Sequence, residues 1–255
     1  MSLFRLETIC LNLKYYLKVY ILLYKTYKNM YNTNDIKQQL INLYKNKEFR
    51  ETKNGVKTIE LQAIQFEADK DYIIRKPNYD YAKREIEWYE SQSLNVYDIP
   101  GKIPEIWKQC ADINGDIVSN YGWMIWSKEN GSQYANCIWQ LVNDPATREA
   151  VMIYNRPSMH IDSVANHRHD FCCTYAVQCF LNKSNENTYN LSYIVYQRSC
   201  DAVFGFNNDI LWHHHVQNKM CNELSEKLNC EIIPSNIIYH CGSLHVYARH
   251  WKFLE

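Results

Sequence analysis

The adjacent thiols Cys172 and Cys173 sit in a stretch that alternates as a strand does, where neighbouring side chains point to opposite faces. One can then meet a ligand while the other is a small buried hydrophobe. A cysteine attacks as its thiolate, which nearby positive charge favours. Glu85 shares a helical stripe with Tyr81, Trp88 and Tyr89. A carboxylate buried on such an aromatic face has its pKa raised toward the range useful for moving protons; the plainer reading is a solvated acid beside Arg84. The densest polar run is Tyr196-Gln197-Arg198-Ser199-Cys200-Asp201, followed by Phe204-Gly205-Phe206-Asn207-Asn208-Asp209 and then a helix. Asp209 stands where that helix is read to begin, so capping it is one available role.

Other chemistry is disfavoured by spacing. The ten cysteines occur singly or as the one adjacent pair, without a CxxC pair, which suits free thiols in a reducing cytoplasm. In His213-His214-His215 successive side chains on a helix diverge by about 100° and cannot close on one ion, so no metal is expected. Lys and Arg number 28, as do Asp and Glu. With no global positive field, direct nucleic-acid binding is not expected, and any phosphate must be gripped locally. Residues 1–29 are apolar and Tyr-rich, but Lys14, Lys18, Lys25 and Lys28 break them into runs too short to span a membrane. They read as an extension, with residues 30–255 as one domain.

The elements that must position these groups follow from periodicity. Ile36, Leu40, Leu43 and Tyr44 mark a helix capped by Thr33, Asn34 or Asp35; residues 56–64 alternate with Ile59, Leu61 and Ala63 on one side of a strand. A helix is expected over 80–91, strands at 150–155, 172–181, 189–198 and 236–248, and a long helix over about 209–228. Without strict βαβ alternation, this is an α+β fold.

The run Gln197-Arg198-Ser199-Cys200-Asp201, leading through Gly205 to Asp209, resembles the motif of the thymidylate synthase superfamily. Ile106-Trp107 with Ala111-Asp112-Ile113-Asn114-Gly115-Asp116 and Tyr121-Gly122 resembles its folate-side segment, and His245-Val246-Tyr247 its ribose-binding His-x-Tyr. Within the superfamily, Arg84-Glu85-Ile86-Glu87-Trp88-Tyr89, Asp98-Ile99-Pro100-Gly101, Arg156-Pro157-Ser158-Met159 and Phe204-Gly205-Phe206 look closer to the phage deoxycytidylate hydroxymethylases. The resemblance covers about residues 50–250. It implies a mixed sheet packed with helices, with a sheet face forming a homodimer interface.

It also implies roles. Cys173, with Gln178 five residues on, matches the family nucleophile. Adding a thiolate at C6 of a pyrimidine makes C5 an enamine carbon able to attack the one-carbon unit of 5,10-methylenetetrahydrofolate. Water then completes a hydroxymethylation, and hydride a methylation. Arg198 is the expected positive neighbour of Cys173, and Glu85 would position water and protons. Asp209 stands where thymidylate synthases carry Asn. An amide matches uracil, whereas an ionised Asp only accepts and so suits cytosine, taking an N4 hydrogen and stabilising a proton at N3. Gln197, Arg198 and Ser199 match substrate contacts, the last two to phosphate; His245 and Tyr247 match ribose contacts, and Trp107 and Asp201 the folate side. Lys53 matches a mobile-loop Arg. Arg148 matches the first of two arginines lent across a dimer, but Glu149 replaces the second and would repel phosphate if turned inward.

The expected activity is therefore conversion of dCMP and methylenetetrahydrofolate to 5-hydroxymethyl-dCMP in the cytoplasm, the host's if the chain is viral. Alternatives are a thymidylate synthase, a CMP hydroxymethylase, or a catalytically weak nucleotide-binding homologue. Glu149 motivates the last, as does the end of the chain at Glu255, where family members usually run on through a segment that helps close the site.

Overall fold

The structure, a computed structural model, describes residues 30–51, 55–165 and 170–255. The expected extension over 1–29 and Lys53 lie outside the described residues. Asn32–Glu255 group as one unit. Its first helix, α1 (Thr33–Lys45), is capped by Asn32, whose side chain accepts from Asn34 N and Asp35 N while Asp35 accepts from Asn32 N. The cap thus lies one residue ahead of the expected set, because Thr33 N and Oγ1 are both committed to Asp69 at 2.9 and 2.6 Å. Ile36 and Leu40 are fully buried as the stripe requires.

Strand β1 (Arg50–Glu51) pairs with β2 (Lys57–Ala68). Ile59 and Leu61 face inward as expected, but Ala63 does not follow them. It is exposed at φ 51°, and burial changes phase to Ile64, Phe66 and Ala68. The left-handed residue swings the next side chain to the opposite parity, which alternation cannot anticipate. Helix α2 (Tyr79–Ser91) is capped by Asn78, and four short or marginal elements follow: α3 (Glu105–Cys110), α4 (Tyr121–Trp126), α5 (Gln133–Asn143) and β3 (Val151–Ile153), then α6 (Pro157–Ala165).

The remaining strands are β4 (Thr174–Lys183), β5 (Thr188–Gln197) and β6 (Cys200–Asp201), then helix α7 (Gly205–Leu228), and finally β7 (Glu231–Pro234) and β8 (Ile237–Tyr247). Spatial order runs β2-β8-β5-β4-β3, with β1 on β2, β6 on β8 and β7 on β5. The pairs of β5 with β8 and β7, and of β6 with β8, are parallel; the others are antiparallel. This is the expected mixed sheet and α+β fold. Val177, Tyr193 and Val195 on the sheet and Ile210, Val216 and Met220 on α7 are all fully buried members of one core. Gln178 opposite Ile194, and Tyr196 opposite His240, alternate with these and are only half-buried. No helix among the described residues is long and apolar enough to cross a membrane.

Candidate active site

The site assembles where β4, β5, β6 and β8 meet the start of α7. The register of β4 against β5 slips between Thr174 and Ala176, and Arg198 N donates to Cys173 O at 2.9 Å. A bulge of this kind re-aims side chains at a strand end. Strand β4 accordingly starts at Thr174, two residues later than read, with Cys172 buried and Cys173 half-buried just before it. Arg198 is held against this segment: its Nε donates to Cys172 O at 3.0 Å, its Nη2 to Phe171 O at 2.6 Å, and its guanidinium lies 5.0 Å from the Phe171 ring centre. Ser199 is half-buried beside it. Gly242 lets β8 pass close, since a Cβ there would stand 3.1 Å from Arg198 O.

The electrostatics of Cys173 differ from the simple expectation. Arg198 does pull its pKa down, but burial first and the Asp209 charge second push it up to about 12. The Cys173 thiol is therefore neutral at neutral pH. Burial pushes the thiol of the more deeply buried Cys172 well up too.

Asp209 is not a helix cap. Helix α7 starts at Gly205, a full turn earlier than read, because Phe206 is already packed at 5.7 Å from Phe66 and 5.2 Å from Tyr239 between ring centres. Asp209 thus lies inside the helix, where its side chain cannot satisfy the free N–H groups of the first turn. Instead its Oδ2 accepts from Gln197 Nε2 at 2.7 Å. Burial, opposed by that hydrogen bond and aided by Glu85, raises its pKa to about 7.

Glu85 is buried, which removes the solvated-acid reading. It accepts from Tyr81 OH and, at 2.8 Å, from Trp107 Nε1. Burial raises its pKa against the pull of both donors. Trp107 is thereby fixed in orientation, with the exposed Ile106 beside it as an apolar ledge. On the opposite wall, β6 sets Asp201 in register with His245 on β8. Asp201 Oδ1 accepts from Val203 N, and the His245 ring packs edge-on to Tyr247 at 4.8 Å. Burial lowers the His245 pKa, so the imidazole is neutral around neutrality.

Arg148 stands apart. It is exposed ahead of β3, its carbonyl accepting from Gln178 Nε2 at 3.0 Å, and Glu149 beside it is exposed too. The histidine tract diverges as its spacing implies: His213 enters the core, His214 faces Asp71 at 3.7 Å and His215 meets Glu90 at 3.0 Å. Tyr81 lies on the Glu85 stripe with no role expected of it, although its position one turn before Glu85 is the signal. No role is expected either of Thr174, whose N donates to Tyr121 OH at 3.1 Å.

A thiol, two carboxylates titrating above their usual range and a cationic, hydroxyl-bearing rim are groups suited to covalent attack and proton transfer beside an anion. The thymidylate synthase family model matches residues 34–255, and the chain belongs to that family. It is a transferase, 42% identical over 212 residues, 83% of this chain and 84% of the relative, to the deoxycytidylate 5-hydroxymethyltransferase of Enterobacteria phage T4. The proteins of that name from Enterobacteria phages T2 and T6 are similar to the same extent.

Proposed function

We propose that the protein makes 5-hydroxymethyl-dCMP from dCMP, and the observation that carries this is Asp209. It presents a carboxylate held by Gln197, not an amide, to the reading of a pyrimidine edge. A pKa of about 7 makes it a good partner for a base that gains a proton as it reacts. The name shared by the phage relatives supports the same base and product.

In this reading Arg198 and Ser199 take the phosphate, His245 and Tyr247 the ribose, and Cys173 adds to C6. Asp209 accepts the N4 hydrogen and holds the proton at N3. Neutralising its charge against the base removes one of the two main upward pushes on the Cys173 thiol, so substrate binding itself favours the thiolate. Glu85, oriented by Tyr81 and Trp107, places water and handles the C5 proton. Methylenetetrahydrofolate supplies the one-carbon unit when bound; the Ile106–Trp107 ledge and Asp201 suit its apolar ring system and its polar edge. The net change is C5–H to C5–CH2OH. We further propose that the catalytic unit runs over 30–255, that it is a homodimer with Lys53 and the partner's Arg148 completing the phosphate grip, and that it works in the cytoplasm.

Incubation with dCMP, dUMP or CMP plus methylenetetrahydrofolate, read by mass spectrometry of the base, tests the activity. A gain of one CH2O on dCMP alone is expected. A CH2 gain on dUMP identifies a synthase, a CH2O gain on CMP a ribonucleotide enzyme, and no gain a binding homologue; each would overturn the proposal.

A further inference from the structure

Among the buried polar residues of α7, two serve the backbone. Asn207 Nδ2 donates to Arg75 O and Val203 O, and Gln217 Nε2 to Leu191 O and Ser235 O. His213 is different. It is fully buried, and each ring nitrogen faces a hydroxyl: Nε2 lies 3.3 Å from Thr174 Oγ1, and Nδ1 lies 3.4 Å from Tyr193 OH. Thr174 Oγ1 is also 3.3 Å from Gln197 Nε2, the nitrogen that donates to Asp209. The contacts form one chain, Asp209–Gln197–Thr174–His213–Tyr193.

One direction gives each hydrogen between Asp209 and His213 an acceptor. The Gln197 amide nitrogen has two hydrogens, one for Asp209 and one for Thr174. Thr174, having accepted, has one hydrogen left to give, and His213 Nε2 is the acceptor. That requires a neutral imidazole with its proton on Nδ1, directed at Tyr193. Burial, with His214 adding to it, holds His213 neutral by lowering its pKa to about 3. The opposite amide orientation would set the Gln197 carbonyl against the Asp209 carboxylate. It has one attraction: Gln197 Oε1 is buried without a partner, and turned toward Thr174 it would receive that hydroxyl's hydrogen.

We propose that His213 is a positioning residue for Asp209: by taking the Thr174 hydrogen it keeps Gln197 turned so that an N–H, and not a carbonyl, meets the carboxylate that reads the base. This rests on the reading of Asp209 above. Without the imidazole acceptor, the Thr174 hydroxyl turns to Gln197, the amide flips, and Asp209 binds its proton more tightly. The other groups facing Asp209 are Glu85 and Tyr89 on α2, Tyr121 on α4, Tyr239 on β8 and the thiols of Cys173 and Cys200. Burial pushes the phenols and the Cys173 thiol up, and a hydrogen bond with Cys241 followed by burial does the same for Cys200, so they stay neutral around neutrality. Glu85, also raised, is the neighbour whose charge bears on Asp209, and it is the same in every variant compared below.

The test is the pH profile of kcat/KM for the nucleotide the enzyme turns over, which reports groups of the free enzyme. His213→Phe keeps the ring and removes the acceptor; His213→Gln restores an acceptor near Nε2. The limb along which activity rises with pH is expected to move up by about one to two pH units in His213→Phe, the worth of a hydrogen bond to a charged group, and to return in His213→Gln. Thr174→Val cuts the same chain from the other side and should give the same displacement, which decides the matter if His213→Phe does not fold. A folded His213→Phe or Thr174→Val with the limb unmoved overturns the proposal. Asp209→Asn separates the two readings. If it abolishes the limb while His213→Phe leaves it in place, only the role of His213 falls; if it leaves the limb in place, the reading of Asp209 falls and the role of His213 with it.

Discussion

At the scale of single residues, two changes test the division of labour in the site. Cys173→Ser should abolish product formation while leaving the nucleotide Kd largely unaltered, because only the covalent step needs the thiolate; Cys172→Ser, on the buried side, should retain turnover. Normal turnover by the Cys173 variant would rule out the covalent route. Asp209→Asn should lose kcat/KM on dCMP and gain it on dUMP, moving their ratio by roughly ten-fold to more than a hundred-fold, the worth of a mispaired polar contact. The same variant carries a stability forecast. The folded pKa of Asp209, about 7, lies above the ordinary carboxylate value. Its protonated form therefore contributes stability that is fully present below about pH 4 and is lost as pH rises through about 7. Discounted for the residue's partial exposure, removing the charge should stabilise the protein by about 1–2 kcal/mol at pH 8 and by much less at pH 4. Thermal melts of parent and variant at the two pH values read this directly.

At the scale of elements, what the sequence announced and what it concealed divide by length and by phase. Helices α1 and α2 and strands β2, β4, β5 and β8 were legible because each runs long enough for its apolar period to repeat, as Ile36 and Leu40 do. Helices α3 and α4, at six residues each, hold less than two turns and show no period. Motif order assigned Cys173, Arg198, Asp209 and His245 to strand ends and a helix start, and the structure sets them on β4, β5, α7 and β8 or directly beside them. The start of α7 was not legible, because Asn207, Asn208 and Asp209 read as capping residues while Phe206 was already in the core. Neither was the phase change at Ala63, a left-handed alanine. Replacing it by glycine removes the Cβ strain and should raise stability by about 0.5–1 kcal/mol in urea denaturation, net of the freedom gained by the unfolded chain. No change, or a loss, would mean that the left-handed conformation costs nothing there. Gly122 makes the converse case. A Cβ there would stand 1.8 Å from the Tyr89 carbonyl oxygen, so Gly122→Ala must push α4 away from α2. A loss of more than about 2 kcal/mol is expected, with a disproportionate fall in kcat because Tyr121 and Glu85 sit on the two displaced helices.

At the scale of the whole molecule, the proposed homodimer turns on Arg148. Its side chain is exposed just ahead of β3, at the edge of the sheet, while Arg198 and Ser199 directly follow β5 in its interior. The half-buried outer sheet residues, with Ile194 and Tyr196 beside Ile238 and His240, form a surface that a second copy can cover. A two-fold pairing through such a face is self-complementary, so each chain lends to its partner what it receives. Mixing Cys173→Ser chains with Arg148→Ala chains then creates hybrids in which one site combines an intact thiol with an intact borrowed arginine and the other lacks both. Random exchange makes half the dimers hybrid, so activity should recover to about a quarter of the parental value from two preparations that are each nearly inactive. Mass-tagged chains separated after mixing establish that hybrids have formed. Hybrids without recovered activity, or a fully active monomer in sedimentation, would mean that Arg148 does not act across the pair, and the phosphate would then be held by Arg198 and its neighbours within one chain.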